Sequence, residues 1–308
     1  MAIDALPDAP PWPYERRAVP LEVVVVHRDQ PAACVQTVLA LHRQGVPVHV
    51  TVVDNGSGPA GLSVLRALAR RLSTVEVVTL GHNTGFGPAA NVGLQRWLER
   101  GEGEWIAVAP HDALPEPGCL ARILAAVSSR PDAGLVSAEF GHAHDSKPVI
   151  DRYIGAYASS GRSGEGWEDA DFPHGTLLVA RRAALSEIGL FDERYFAYCE
   201  EADLGVRATR AGWKVGIIWG AVVNNPGHGE SEVVRYLKLR NTLLLVREHF
   251  GSYPATIRCI FALLTLVARA SRRAPATDAV RRVEGRAILD FIRGRFGPPP
   301  PSLRRVEA

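Results

Sequence analysis

Residues 48–58 read VHVTVVDNGSG, an apolar β-branched run that stops at Asp54 and passes straight into Asn55, Gly56 and Ser57. A run without polar alternation reads as a strand covered on both faces, as in a parallel sheet layered by helices. Outward from it, residues 21–26 (LEVVVV), 75–80 (VEVVTL) and 105–109 (WIAVA) repeat the pattern. Residues 31–44, 62–72 and 89–100 between them carry apolar side chains at helical spacing, as in Cys34, Val38 and Leu41. Strands alternating with helices in this way predict an α/β fold, a doubly wound, mostly parallel sheet flanked by helices. Ligands of such sheets bind beyond the carboxyl ends of the strands. Asp54, Asn83 and Asp112 fall there.

Downstream, residues 114–129 read as a helix, 134–138 and 177–180 as strands, and 182–188 as a short helix. Residues 215–219 and 221–223 read as a late strand pair. The polar, Gly/Ser-rich stretch 142–171 is expected to be a mobile connection that closes over a site. Residues 231–295 are helical in pattern, with no strand-like segment. The layout expected is a flexible Pro-rich lead-in (1–20), an α/β domain (21–230), a C-terminal helical extension (231–296) and a disordered tail (297–308).

The 308 residues are 46% apolar and 22% charged, ordinary for a soluble globular protein. The net charge of +2 hides an asymmetry: 15 Lys/Arg stand against 6 Asp/Glu from residue 231 onward, and 20 against 27 before it. The basic tail suits either an anionic membrane surface or a solvated helical face. It carries no interleaved aromatics, so no nucleic-acid partner is expected. Cys34, Cys119, Cys199 and Cys259 are scattered, with no CxxC pair, and read as reduced residues in a cytoplasmic protein. The longest apolar run, residues 259–268, is too short to span a bilayer. The opening residues do not read as a secretory signal.

Residues 191–204, FDERYFAYCEEADL, hold the densest chemistry. Clustered carboxylates repel, so one keeps a raised pKa and is poised as a base. On a helix Glu200 and Asp203 share a face, with Glu201 turned about 100° away. The alternative is an acidic helix start that suits the macrodipole. Asp54 either accepts hydrogen bonds from a base or ribose hydroxyl or caps a turn. In residues 83–93, NTGFGPAANVG, the glycines let backbone approach a ligand, and Asn91 either holds the loop or reaches a sugar. Asp112, beside His111, suits a hard divalent ion that also touches phosphates. His228 either completes that metal shell or is solvated.

Strand 23–26, VVDNGS at 52–57, NTGFGPAANVG, Asp112 with its PxPG, residues 174–213 (HGTLLVARRAALSEIGLFDERYFAYCEEADLGVRATRAGW) and YLKLRNTLLLVREH at 236–249 occur in order. Together, over residues 21–250, they resemble glycosyltransferase family 2, whose fold is the Rossmann-like GT-A type; the bacterial rhamnosyltransferase-like branch is most similar. The resemblance implies inverting transfer of a sugar from a nucleoside-diphosphate donor, UDP or dTDP before GDP, to an acceptor hydroxyl. It makes Glu201 the base, with Glu200 and Asp203 beside it, and Asp112 the ligand of Mg²⁺ or Mn²⁺ together with His228. Donor contacts are implied for His27, Asp54, Asn83, Gly85, Phe86, Asn91, His111, Asp112, Arg207 and Arg240. Acceptor contacts are implied for His174, Gly175 and Trp167. The sequence departs from the family pattern twice: Asp-x-Asp is reduced to His111-Asp112-Ala113, and Asn224-Asn225 stands where a histidine is usual. These departures leave open a second reading, a sugar-nucleotide-binding protein without transferase activity. The acceptor expected is a small molecule, a glycan or a lipid-linked sugar, the last suited by peripheral contact of the basic C-terminal helices with the inner face of the cell membrane. The same helices suit a homodimer contact.

Overall fold

A computed structural model describes residues 19–141, 145–226, 231–270 and 275–304. Strands β1 (Leu21–His27), β2 (Val48–Asp54), β3 (Val75–Thr79) and β4 (Trp105–Pro110) pair in parallel in the order β3-β2-β1-β4. Alternation along β1 sends Val23 and Val25 into one apolar layer and Val24 and Val26 into the other. The first layer is closed by α1 (Pro31–Leu41), α2 (Pro59–Arg71) and α4 (Cys119–Val127), the second by α3 (Phe86–Arg100), α5 (Arg182–Ile188) and α6 (Glu200–Arg210). Pro31 and Pro59 open their helices where the missing N–H is harmless. Gly93 lets α3 sit directly on β1, since a Cβ there would lie 2.6 Å from a methyl of Val24.

Beyond β4 the sheet continues through β10 (Leu178–Arg181), β6 (Ala133–Phe140), β11 (Lys214–Asn224) and β5 (Leu114–Pro115). β10 runs antiparallel to both neighbours, so β6 and β11 keep the direction of β4. The late strand pair expected at 215–223 is one strand, β11, whose pairing with β6 shifts between Ile218 and Val222. Gly220, at φ 84°, sits in that bulge. The helix expected from residue 114 begins only at Cys119, because Leu114 and Pro115 pair with β11.

The stretch 142–171 differs most from expectation. Instead of a mobile connection it forms a hairpin, β7 (Ser146–Asp151) with β8 (Gly155–Ser160), and an edge strand, β9 (Gly166–Asp169), paired antiparallel to β11. SKPVID, GAYASS and GWED lack the β-branched run that marks a buried strand, and their partners supply the order.

The C-terminal helices are α7 (Glu232–Phe250), α8 (Ser252–Ala270) and α9 (Pro275–Ile292). Leu243 and Val246 of α7 pack on Cys259, Ala262, Ile288 and Phe291 of α8 and α9, whereas Leu244 and Leu245 pack on Tyr195 and Ala202 of the α/β body. α7 therefore belongs to both parts. The expected disordered tail carries a short helix, α10 (Pro301–Arg304), with Leu303 buried against α7 and α9 residues. No helix among the described residues is long and apolar enough to cross a membrane.

Candidate active site

The carboxyl ends of β1, β2, β4, β6 and β11 meet at one edge of the sheet, and β10 starts there. His27, the last residue of β1, is buried with its Nδ1 3.0 Å from Asp54 Oδ1. The N–H of Gln30 donates to His27 Nε2 at 3.2 Å, so the ring proton sits on Nδ1 and is donated to Asp54. The other oxygen of Asp54 accepts from the Ser57 N–H at 3.2 Å. Asp54 thus organises the turn after β2, with both oxygens hydrogen-bonded within the protein. The His111 ring meets His27 edge-on at 5.6 Å, and Asp112 Oδ1 accepts from Asn225 Nδ2 at 2.9 Å.

A second layer of contacts shapes the loop before α3. Asn55 donates to Asn83 Oδ1 (3.1 Å) and to the Gly85 carbonyl (2.9 Å), and its own oxygen accepts from the N–H and hydroxyl of Thr84. Asn91 exchanges hydrogen bonds with the backbone of Phe191 at 2.9 and 3.0 Å, so it holds the acidic segment instead of reaching into the cleft. Phe86 meets Phe191 edge-on at 6.5 Å.

The acidic segment is backed against this loop. Glu200 and Glu201 open α6, and a Cβ on Gly87 would lie 3.6 Å from Glu200 Cγ. A Cβ on Gly175 would lie 3.5 Å from Glu201 Oε1. Continuing the β10–β4 register from Leu178↔Val108 brings residues 174–176 level with 110–112, so Asp112 and Glu201 belong to the same end of the sheet. One oxygen of each glutamate is buried with no hydrogen-bond partner. Burial, then the charge of Glu201, pushes the Glu200 carboxyl well above its ordinary range. Burial also raises Glu201, against backbone N–H groups, the hydrogen bond from Glu200 and the charge of Lys238. Of the two, Glu200 is the carboxyl that burial and its neighbour's charge push further toward the protonated form. His174 stacks on Phe140 at 4.7 Å, and desolvation pushes its pKa down to about 4, so it enters the cleft as a neutral ring.

The backbone leading to the pair is strained. Phe196, Tyr198 and Cys199 all have positive φ (67°, 69° and 72°), conformations that cost roughly 1–3 kcal/mol each outside glycine. Gly85 makes room for the kink, because a Cβ there would lie 2.3 Å from the Phe196 carbonyl. The buried Asn241 of α7 holds it, Nδ2 donating to the carbonyls of Tyr195 (2.7 Å), Ala197 (2.8 Å) and Tyr198 (2.8 Å).

Besides Asn91, four residues expected at the site are placed elsewhere. Asp203 turns away from the cleft, to Arg207 Nε (2.8 Å) and His249 Nε2 (2.8 Å). Burial would raise its pKa, but those two partners outweigh it and hold the carboxyl below the usual range. Arg207 also donates to the carbonyls of Ile188 and Leu190, which makes it a brace between α6 and the preceding turn. Arg240 is fully buried, donating to Asn241 Oδ1, Tyr195 O and Gly297 O, where no diphosphate reaches it. Trp167 lies over Gly216 on the far side of β11, its ring under Arg130 at 4.9 Å. His228 lies outside the described residues. Asn55, Asn241 and His249 are the residues that sequence reasoning passed over. Two of them sit inside YLKLRNTLLLVREH, whose polar members, spaced along one helix, are the signal that was available.

Among the described residues no three His, Cys, Asp or Glu side chains converge on a metal position. Asp112 is a buried carboxylate just past the end of β4. A single carboxylate suits Mg²⁺ or Mn²⁺, which take most of their ligands from phosphate and water.

A family model described as glycosyltransferase like family 2 matches residues 19–243. The chain is 30% identical over 263 residues to N-acetylglucosaminyl-diphospho-decaprenol L-rhamnosyltransferase of Mycobacterium tuberculosis (strain CDC 1551 / Oshkosh), covering 72% of this chain and 84% of that relative. Among solved structures, the mannosyltransferase PcManGT from Pyrobaculum calidifontis, in complex with GDP-Man and Mn2+, superposes with TM-score 0.56 at 14% identity, covering 95% of this chain and 89% of that one. S. aureus TarS 1-349 in complex with UDP-GlcNAc gives 0.53 at 15% identity, covering 79% and 71%. These likenesses establish the GT-A type of fold.

Proposed function

Since the chain belongs to glycosyltransferase family 2, as a glycosyltransferase similar to bacterial rhamnosyltransferases, we propose that it inverts the anomeric centre of a nucleoside-diphosphate sugar, with Glu201 as general base. The observation that carries this reading is the Glu200–Glu201 pair: a buried and a half-buried glutamate, each with one enclosed, unpartnered oxygen, at the sheet edge that also bears Asp112. Glu200 keeps its proton, and Glu201 takes the proton of the acceptor hydroxyl as that oxygen attacks the anomeric carbon. Gly175 leaves space beside Glu201 for the acceptor, and the neutral His174 ring lines the same side. The donor lies over the loop ordered by Asn55 and Asn83, its diphosphate toward Asp112. Asp112 would hold Mg²⁺ or Mn²⁺, which offsets the charge of the departing diphosphate.

The relative's name supports L-rhamnose as the sugar and a lipid-linked acceptor; the nucleotide we propose is UDP or dTDP. The surface of α8 agrees with such an acceptor. Tyr253, Ile260, Phe261, Leu264 and Val267 are exposed along its outward side, with Arg258 and Arg269 near its ends. We assign that face to an anionic leaflet. Sedimentation with vesicles containing anionic lipid tests it; concentration-dependent dimerisation with no vesicle binding would assign the face to a second copy instead. For the chemistry, Glu201→Gln should lose about 10²–10⁴-fold in kcat and still show a donor-induced rise in Tm. Full turnover by that variant would remove Glu201 from its role.

A further inference from the structure

Helices α7, α8 and α9 surround an open cavity of about 250 Å³. Its wall gathers Arg235 and Lys238 from α7, Arg258 and Arg269 from α8, and a single carboxylate, Glu284 from α9. The positions are helically spaced, 235, 238 and 242 on one helix and 258, 265 and 269 on the next, so each helix turns one face inward. Glu284 engages both Arg235 and Arg269. Arg258 donates to the Ile154 carbonyl at 3.3 Å, and burial lowers its pKa. An ion-pair cluster that only held the helices together would balance its charges. Among the described residues of the wall, four cations face one carboxylate, and the surplus positive potential in a partly enclosed space selects an anion.

The cavity adjoins the catalytic loop. Lys238 Nζ stands 5.6 Å from the centre of the Tyr198 ring, and Thr242 Oγ1 lies 3.9 Å from Cys199 Sγ. Tyr198 and Cys199 immediately precede Glu200 and Glu201. On its other flank, α8 turns an apolar surface outward.

Resting on the transferase reading above, we propose that this cavity is the phosphate subsite of the acceptor, taking the diphosphate that joins the acceptor sugar to an apolar chain. With the diphosphate between α7 and α8, the attached sugar extends over Tyr198 and Cys199 toward Glu201, and the chain leaves along α8. The donor diphosphate is assigned to Asp112, which is not among the cavity's lining residues, so the two phosphate groups are bound by separate sets of residues.

The test is calorimetric binding of farnesyl diphosphate, inorganic pyrophosphate and farnesol to the full chain without donor. Farnesyl diphosphate should bind more tightly than pyrophosphate, and farnesol weakly. Lys238→Gln and Arg269→Gln should each weaken farnesyl diphosphate about tenfold, the effect of losing one charge-assisted hydrogen bond. Thr265→Glu, which adds a carboxylate to the wall without removing a contact to Glu284, should do the same; Asp112→Asn should not. Unchanged binding in all three cavity variants, or loss in Asp112→Asn alone, would overturn the assignment. Equal affinity for pyrophosphate and farnesyl diphosphate would overturn the lipid-linked part by making the ligand a free phosphate. The readout needs no turnover, so an inactive transferase would leave the subsite standing. Transfer to an uncharged acceptor by a protein that binds no diphosphate in the cavity would end the subsite alone.

Discussion

Replacing Asn241 by Ala removes one buried amide that serves the carbonyls of Tyr195, Ala197 and Tyr198. The amide has two hydrogens, so at full strength it supplies two of those three bonds. At about 1–1.5 kcal/mol net each, their loss amounts to about 2–3 kcal/mol. That energy is what keeps Phe196, Tyr198 and Cys199 at positive φ, directly before the two glutamates. Released to the loop, it corresponds to about 30- to 150-fold in the population of the competent arrangement. The expected result is a kcat lower by that factor, with an unchanged donor KM, because the turn at Asp54 and the Asn55–Asn83 contacts are untouched. Steady-state release of nucleoside diphosphate reads it. Leu243→Ala supplies the comparison: Leu243 is on the same helix, fully buried against α8 and α9, and makes no contact with the loop carbonyls. Its loss costs about 2–5 kcal/mol of stability, yet it should leave kcat near the native value at temperatures where the protein is folded. Parallel loss of kcat in the two variants, or a native kcat for Asn241→Ala, would refute the clamp.

Other outcomes follow from the same geometry. The folded-state pKa of Glu200 is raised above 4.5, so native stability declines as pH rises through that interval. Glu200→Gln should therefore raise Tm by roughly 2–4 °C at pH 8, an advantage that disappears near pH 4 in a melting series. The catalytic base must be deprotonated, so kcat/KM should fall on the acid side at a pH above the ordinary glutamate range; Lys238→Gln, which removes a charge that lowers Glu201, should move that limb to higher pH. Asp203 is held below 3.8 by His249 and Arg207, so its contribution is present above that value and lost as pH falls through the depressed pKa. His249→Ala should cost about 1–3 kcal/mol at pH 7, with the deficit narrowing in denaturant titrations below about pH 3.8. Asp112→Asn should raise the Mn²⁺ concentration for half-maximal turnover at least about tenfold; an unchanged metal titration would remove Asp112 from the metal.

The strands that carry the site were legible because each is buried on both faces: LEVVVV, VHVTVV and WIAVA could hardly be anything else. The glycines of the 83–93 loop marked a close approach, but what comes close is the protein itself: a Cβ at Gly85 would meet Phe196 and one at Gly87 would meet Phe191 and Glu200. What was not legible came from pairing or from distance. β7, β8 and β9 are polar strands whose order is lent by partners, and no local period marks them. Arg207 and Arg240 carried the right charge for phosphate, but backbone carbonyls hold them, 19 positions away for Arg207 and 57 for Arg240, separations that no spacing rule reveals. Asn241 and His249 escaped for the same reason: their partners lie more than 40 residues upstream, with separations of 46 for both.

That separation bears on how the protein is made. During synthesis the whole parallel sheet and both glutamates leave the ribosome before Asn241 does, so the kinked segment has nothing to hold it. A nascent chain can collapse around its sheet and still be unable to consume donor; competence arrives only when the seventh helix docks.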